Sequence, residues 1–90
     1  MLEKKNYANG QKANEQIGDN LTWFFKTGKV KAEGSFINNL MEGEWKFYRE
    51  TGQLWQVGNF INGLKNGSWV RYDKKDQIEY KEVFENGKKI

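Results

Sequence analysis

The sequence predicts an all-β chain, an antiparallel meander of about six strands built from 24-residue β-hairpin units and forming one elongated, twisted sheet. Three observations predict it. The chain repeats itself at a fixed interval, short runs of aromatic and β-branched residues alternate with clusters of Gly, Asn and Asp, and proline is absent, which leaves the strand ladders uninterrupted.

The interval comes first, because a fixed period constrains every later step. Laying residues 21–44 over 45–68 pairs Thr27 with Thr51, Gly28 with Gly52, Gly34 with Gly58, Phe36 with Phe60, Ile37 with Ile61, Asn38 with Asn62, Leu40 with Leu64 and Gly43 with Gly67. These are eight identities in 24 positions, where ordinary composition gives roughly one or two. Laying 45–66 over 69–90 pairs Trp45 with Trp69, Tyr48 with Tyr72, Gln53 with Gln77, Phe60 with Phe84, Asn62 with Asn86, Gly63 with Gly87 and Lys65 with Lys89.

Residues 1–17 form a lead-in, in which 7–12 resemble part of a unit ending in its own turn, at an irregular distance from the first full unit. Residues 18–90 form the repeat domain, with units at about 21–44, 45–68 and 69–90. In the middle unit, 44–49 form a strand, 50–53 a tight turn and 54–61 the next strand, and 62–67 then turn the chain into a strand over 68–73. Glycine at 52, 63 and 67 supplies positive φ, and Asn39 and Asp76 are residue types that also tolerate the left-handed region. Connections this short join only antiparallel neighbours.

Alternation along 30–37, 54–61 and 78–85 separates two faces. One carries Val30, Leu54 and Ile78, then Ala32, Gln56 and Tyr80, then Gly34 and Gly58, then Phe36, Phe60 and Phe84; this is the predicted core. Gly34 and Gly58, inside strands, leave space for a ring from a neighbouring strand, with Trp45, Trp69, Tyr48 and Tyr72 as candidates. The other face carries Trp55, Val57 and Ile61 in the middle unit and mostly charged residues elsewhere. Framed by Lys31 and Lys81, these three form the candidate partner site. Trp45 and Trp69 keep repeat spacing and are read as core rungs rather than binding anchors. Trp55 has Lys31 and Glu79 as its equivalents, so a ladder does not explain it.

The composition narrows the chemistry. Ninety residues make one small domain, and without cysteine or histidine there is no disulfide framework, no common zinc ligand and no imidazole base. Glu42 with Glu44, and Asp73 with Asp76, fall at predicted turns, where exposed carboxylates are structural. No catalytic residue, metal or cofactor is expected. The net charge of +3 lies in the second half, where 46–90 hold nine basic and six acidic residues, but the signs interleave. That pattern disfavours nucleic acid, even with basic residues beside rings in 46–49 and 69–72. Acidic lipid binding, if present, is weak and salt-sensitive. No stretch reaches the length of a membrane span. A cytoplasmic location is expected, with a signal or lipoprotein segment ahead of Met1 as the alternative.

The period, the recurrence of 43–48 in 67–72, the Thr51-Gly52-Gln53 turn and the link from Phe60 to Gly67 resemble the MORN repeat, specifically the bacterial variant of YwqK-family antitoxins. The resemblance covers 18–90, with Gly43, Trp45, Tyr48, Gly52, Gly58, Phe60, Asn62, Gly63 and Gly67 matching its pattern. Leu21 and Phe24 depart from it in the first unit, Asp76 and Glu82 in the last, as expected of capping units. The resemblance implies a twisted array of hairpins used for scaffolding, protein association and, in some members, acidic phospholipid binding. The expectation is a non-enzymatic interaction module with a protein partner, antitoxin-like in its most specific form, with a homodimer through free sheet edges also compatible.

Overall fold

The computed structural model describes residues 6–90. Among them nine strands make one antiparallel sheet without a helix: β1 (Asn14–Ile17), β2 (Asn20–Phe24), β3 (Val30–Ile37), β4 (Leu40–Tyr48), β5 (Leu54–Ile61), β6 (Leu64–Lys65), β7 (Gly67–Tyr72), β8 (Ile78–Glu85) and β9 (Lys88–Lys89). Their spatial order follows the chain, except that β6 and β7 both pair with β5, one beyond the other along its length. The meander expected from the sequence is present. It has more strands than the expected six because the lead-in contributes β1 and because β6 and β9 start immediately after hairpin turns. The sheet measures 41 × 35 × 18 Å. Its radius of gyration of 13.9 Å exceeds the roughly 12 Å of a compact globule of this length.

Two kinds of turn hold the sheet at its two ends. At one end, Asn38 and Asn39 (φ 53° and 63°), Asn62 and Gly63 (51° and 80°), and Asn86 and Gly87 (49° and 86°) place both central residues in the left-handed region. That is the two-residue hairpin whose twist matches the flanking strands. The six-residue link expected after Ile61 is therefore a two-residue turn followed by a strand. At the other end a five-residue loop recurs. In it the Arg49 amide donates to the Gln53 carbonyl (2.8 Å) and the Gly52 amide to the Arg49 carbonyl (2.9 Å). The same pair of bonds appears at Phe25 with Lys29 and Gly28, at Asp73 with Gln77 and Asp76, and at Tyr7 with Gln11 and Gly10. Tyr7 thus opens a fourth loop of the series. Successive loops are tied side by side, since Asn9 Nδ2 donates to the Lys26 carbonyl (2.9 Å) and Gln53 Nε2 to the Lys74 carbonyl (2.8 Å).

The core lies on one face, around Leu21, Ala32, Trp45, Phe60 and Trp69, with Trp23, Phe36, Met41, Phe47 and Phe84 packed against them. Trp45 is opposite Gly34 on one side and Gly58 on the other. Its indole lies flat over Gly34, and that of Trp69 over Gly58, so closely that a methyl group on either glycine would fall inside the ring. Each indole N–H donates to a strand carbonyl, Trp45 to Ser35 (2.9 Å) and Trp69 to Asn59 (3.0 Å), which satisfies the one polar atom that the burial would strand. Phe60 meets both indoles edge-on, at 6.4 Å from Trp45 and 5.1 Å from Trp69, and Phe84 continues the series at 6.2 Å from Trp69. A single sheet thereby buries Trp45 completely without a second layer. The glycine supplies depth and the neighbouring unit's ring supplies the cover.

Candidate functional site

The site begins with an irregularity in the ladder. Trp23 pairs with Ala32 but Phe24 with Val30; Phe47 pairs with Gln56 but Tyr48 with Leu54; Arg71 pairs with Tyr80 but Tyr72 with Ile78. One residue is skipped each time: Lys31, Trp55 and Glu79. A β-bulge therefore recurs at the same position in all three units. In a bulge the extra residue breaks the period-two alternation, and the side chains before and after it change places between faces.

This corrects the faces derived from simple alternation. Trp55 lines the core-face groove and is thereby separated from Val57, which pairs with Lys46 and Val70 on the reverse face. Ile61 pairs with Leu64 beside the hairpin turn, also on the reverse, and is 49% exposed. Lys81 pairs with Val70, again on the reverse. Of the five expected contact residues, the structure brings together Trp55 and Lys31 and leaves Val57, Ile61 and Lys81 elsewhere. The same shift removes Val30, Leu54 and Ile78 from the core face, and Ile78 is 63% exposed.

Trp55 and Lys31 line a groove of about 510 Å³ together with Trp23, Phe25, Ala32, Met41, Trp45, Phe47 and Tyr48. It extends along β4 from Met41 to Phe47 and, at the loop end, across the sheet from Trp23 and Phe25 to Trp55. The walls are aromatic and aliphatic. Polar character comes mainly from cations laid over rings: the Lys31 ammonium is 5.9 Å from the centre of Phe25, and the Arg71 guanidinium lies 4.9 Å from Trp55 and 4.6 Å from Tyr80. Arg71 is further held by Gln56, whose Oε1 accepts from Nε (3.2 Å) and Nη2 (3.1 Å). Trp55 is thus fixed by its neighbour while one side of its ring lines the groove. Toward the hairpin end the Lys65 ammonium sits 4.6 Å from Trp69 and 4.8 Å from Phe84, closing the aromatic ladder from above.

Tyr48, a repeat position in the sequence, donates its hydroxyl to Glu33 Oε2 at 2.6 Å. Burial, then the hydrogen bond to Glu33 and the negative charge of that carboxylate, push the phenol from 10.0 up to about 12. Tyr72, its equivalent, offers instead its backbone carbonyl to Arg49 Nη2 (2.9 Å). Phe36, Phe60 and Phe84 form the hairpin side of the core, and Gly43 and Gly67 take positive φ (68° and 84°) where the strand after each hairpin turn bends back into register. Trp23 and Phe47, which line the groove, and Arg71, which packs on Trp55, were not singled out from the sequence as site residues. They stand at one repeat position, in the row that faces the bulge, so the period itself was the signal that could have found them.

Residues 20–38 and 41–62 match the MORN repeat variant. Each matched stretch runs from one hairpin turn to the next, enclosing strand, loop and bulged strand as one repeat unit. Residues 65–86 lie outside the match yet carry the same loop bonds, bulge and hairpin turn. Neither a curated protein nor a solved structure matches the chain significantly. Among the described residues no group of three or more Asp or Glu side chains gathers in a metal-holding arrangement, and no helix is long and apolar enough to cross a membrane.

Proposed function

We propose that this chain is a non-enzymatic protein-interaction module whose core-face groove, centred on Trp55, receives a partner protein. The observation that carries the reading is the groove itself: an aromatic trough whose most distinctive ring, Trp55, is supplied at one bulge and is not needed by the Trp–Phe ladder. Rings held rigidly at the mouth of an apolar trough are the usual anchors of protein contacts. MORN repeats serve in general in protein or membrane interactions, which fits the same reading. The most specific form, sequestration of a toxin in the manner of YwqK-family antitoxins, extends the resemblance in the middle unit and is part of this proposal.

Affinity capture with the wild-type chain and with Trp55→Ala as parallel baits tests it. The expected result is a protein retained by the first bait and lost from the second, while both baits give the same cooperative melt by circular dichroism. Equal retention by the two folded baits would remove the groove as the contact. Peripheral binding to acidic phospholipid is the second reading, favoured by the cations that edge the groove. It requires pelleting with anionic vesicles at low salt that disappears at high salt.

A further inference from the structure

The cations of the two faces differ in their company: Lys46 and Lys81 share the reverse face with carboxylates, Lys46 directly opposite Glu33, whereas those of the groove face lie on rings. Trp45 and its cross-strand glycines define the core face, so their ladder neighbours point to the reverse. Glu15, Glu33 and Glu44 fall there, through the pairs Glu15 with Thr22, Thr22 with Glu33, and Glu44 with Asn59. The groove face instead presents Lys31, Lys65 and Arg71, each laid on an aromatic ring. Among the described residues none of these three cations has a carboxylate within ion-pair distance, because the ion pairs formed are Lys12 with Glu15 and Lys89 with Glu82. Glu82, on the groove face opposite Trp69, is held by Lys89 at 3.0 Å. Glu79, the bulge residue of the last unit, bounds the cationic stretch on its far side. A cation over a ring with no anion beside it keeps its charge for an incoming group, and the ring beneath it takes away part of its water.

We infer that the groove takes an extended acidic peptide segment carrying one apolar anchor. This rests on the protein-binding reading of the same groove and adds the chemistry of what binds. The spacing comes from the ladder. Ala32, Phe47, Gln56 and Arg71 form one row across β3, β4, β5 and β7, with Lys31 beside Ala32. Three inter-strand steps of about 4.8 Å separate Lys31 from Arg71 by roughly 14 Å, which an extended chain at about 3.4 Å per residue covers in about four residues. The segment therefore carries two carboxylates about four residues apart, one at Lys31 and one at Arg71, with a Leu, Ile, Phe or Trp between them against Phe47 and Trp55.

Selection of a displayed random-peptide library on the wild-type chain tests this, with the enriched peptide resynthesised as the probe. Enriched sequences are expected to carry Asp or Glu about four residues apart around an apolar residue. The peptide should bind roughly tenfold more weakly to Lys31→Gln and to Arg71→Gln, and the difference should shrink in high salt. Arg71 also bonds Gln56, so the Lys31 variant, whose side chain makes no such bond, supplies the decisive arm. Enrichment of neutral or basic peptides, or acidic peptides indifferent to both substitutions, overturns the inference. So does an absence of peptide enrichment with binding to anionic vesicles in its place. Neutral peptides that lose binding to Trp55→Ala would sink the acidic chemistry and leave the groove standing, whereas peptides indifferent to Trp55→Ala would sink the groove.

Discussion

Gly58 and Glu82 occupy the same position in successive units, and their surroundings differ completely. Gly58 lies beneath the Trp69 indole with no room for a methyl group, and the strand that holds it contributes the buried Phe60. Glu82 pairs with Trp69 from the outer side, reaches Lys89, and sits in a strand whose residues are mostly exposed. The backbone is nevertheless the same in both units, with matching bulges, loop bonds and hairpin turns. Local turn chemistry therefore fixes the geometry of a unit by itself, while burial depends on a neighbour on each side. That is the behaviour of a nearest-neighbour array.

Substitutions can break this contrast, starting with the largest effect. Trp45→Ala removes the one ring seated between two glycines and should cost about 3–5 kcal/mol, enough to abolish a cooperative thermal transition in a domain of this size. Gly58→Ala drives a methyl group into the Trp69 indole and should cost about 1–3 kcal/mol, a fall of roughly 5–20 °C in melting temperature. An unchanged melting temperature would mean that the indole can lift without loss.

The hydroxyl of Tyr48 gives a subtler handle. Its pKa is higher in the folded chain than in the unfolded one, so the stability it contributes is fully present below pH 10 and lost as pH rises toward about 12. Tyr48→Phe should flatten that part of the melting-temperature profile relative to wild type. Glu82→Gly should change stability by less than about 0.5 kcal/mol, because it forfeits only a partly exposed ion pair. A loss comparable with that of Gly58→Ala would show that the last unit is packed as tightly as the middle one.

Much of this was legible in the sequence, for identifiable reasons. Glycines inside strands, one period apart and near Trp at fixed offsets, announced the stacked rings; only the register, which set Trp45 and Trp69 over them rather than Tyr48 or Tyr72, was open. Paired Asn and Gly residues announced the hairpin turns. The bulge was hidden because a bulged residue needs no special side chain: Lys31, Trp55 and Glu79 share nothing but position. Missing it exchanged the faces on the loop side of every unit and joined Trp55 to Val57 and Ile61. The lead-in was obscured by spacing, since Tyr7 and Phe25, which open equivalent loops, are 18 residues apart where Phe25, Arg49 and Asp73 keep 24.

The recurring bulge also separates two kinds of information that a sheet normally mixes. A residue in register must satisfy its cross-strand partner, so changing it perturbs the ladder. Lys31, Trp55 and Glu79 have no such partner, and each is delivered to the groove side by a backbone that does not depend on its identity. The array consequently has one writable position per unit, here spelling cation, ring and anion across the sheet. A chain built this way can acquire a new specificity by editing those positions alone, while its aromatic ladder and turns stay as they are.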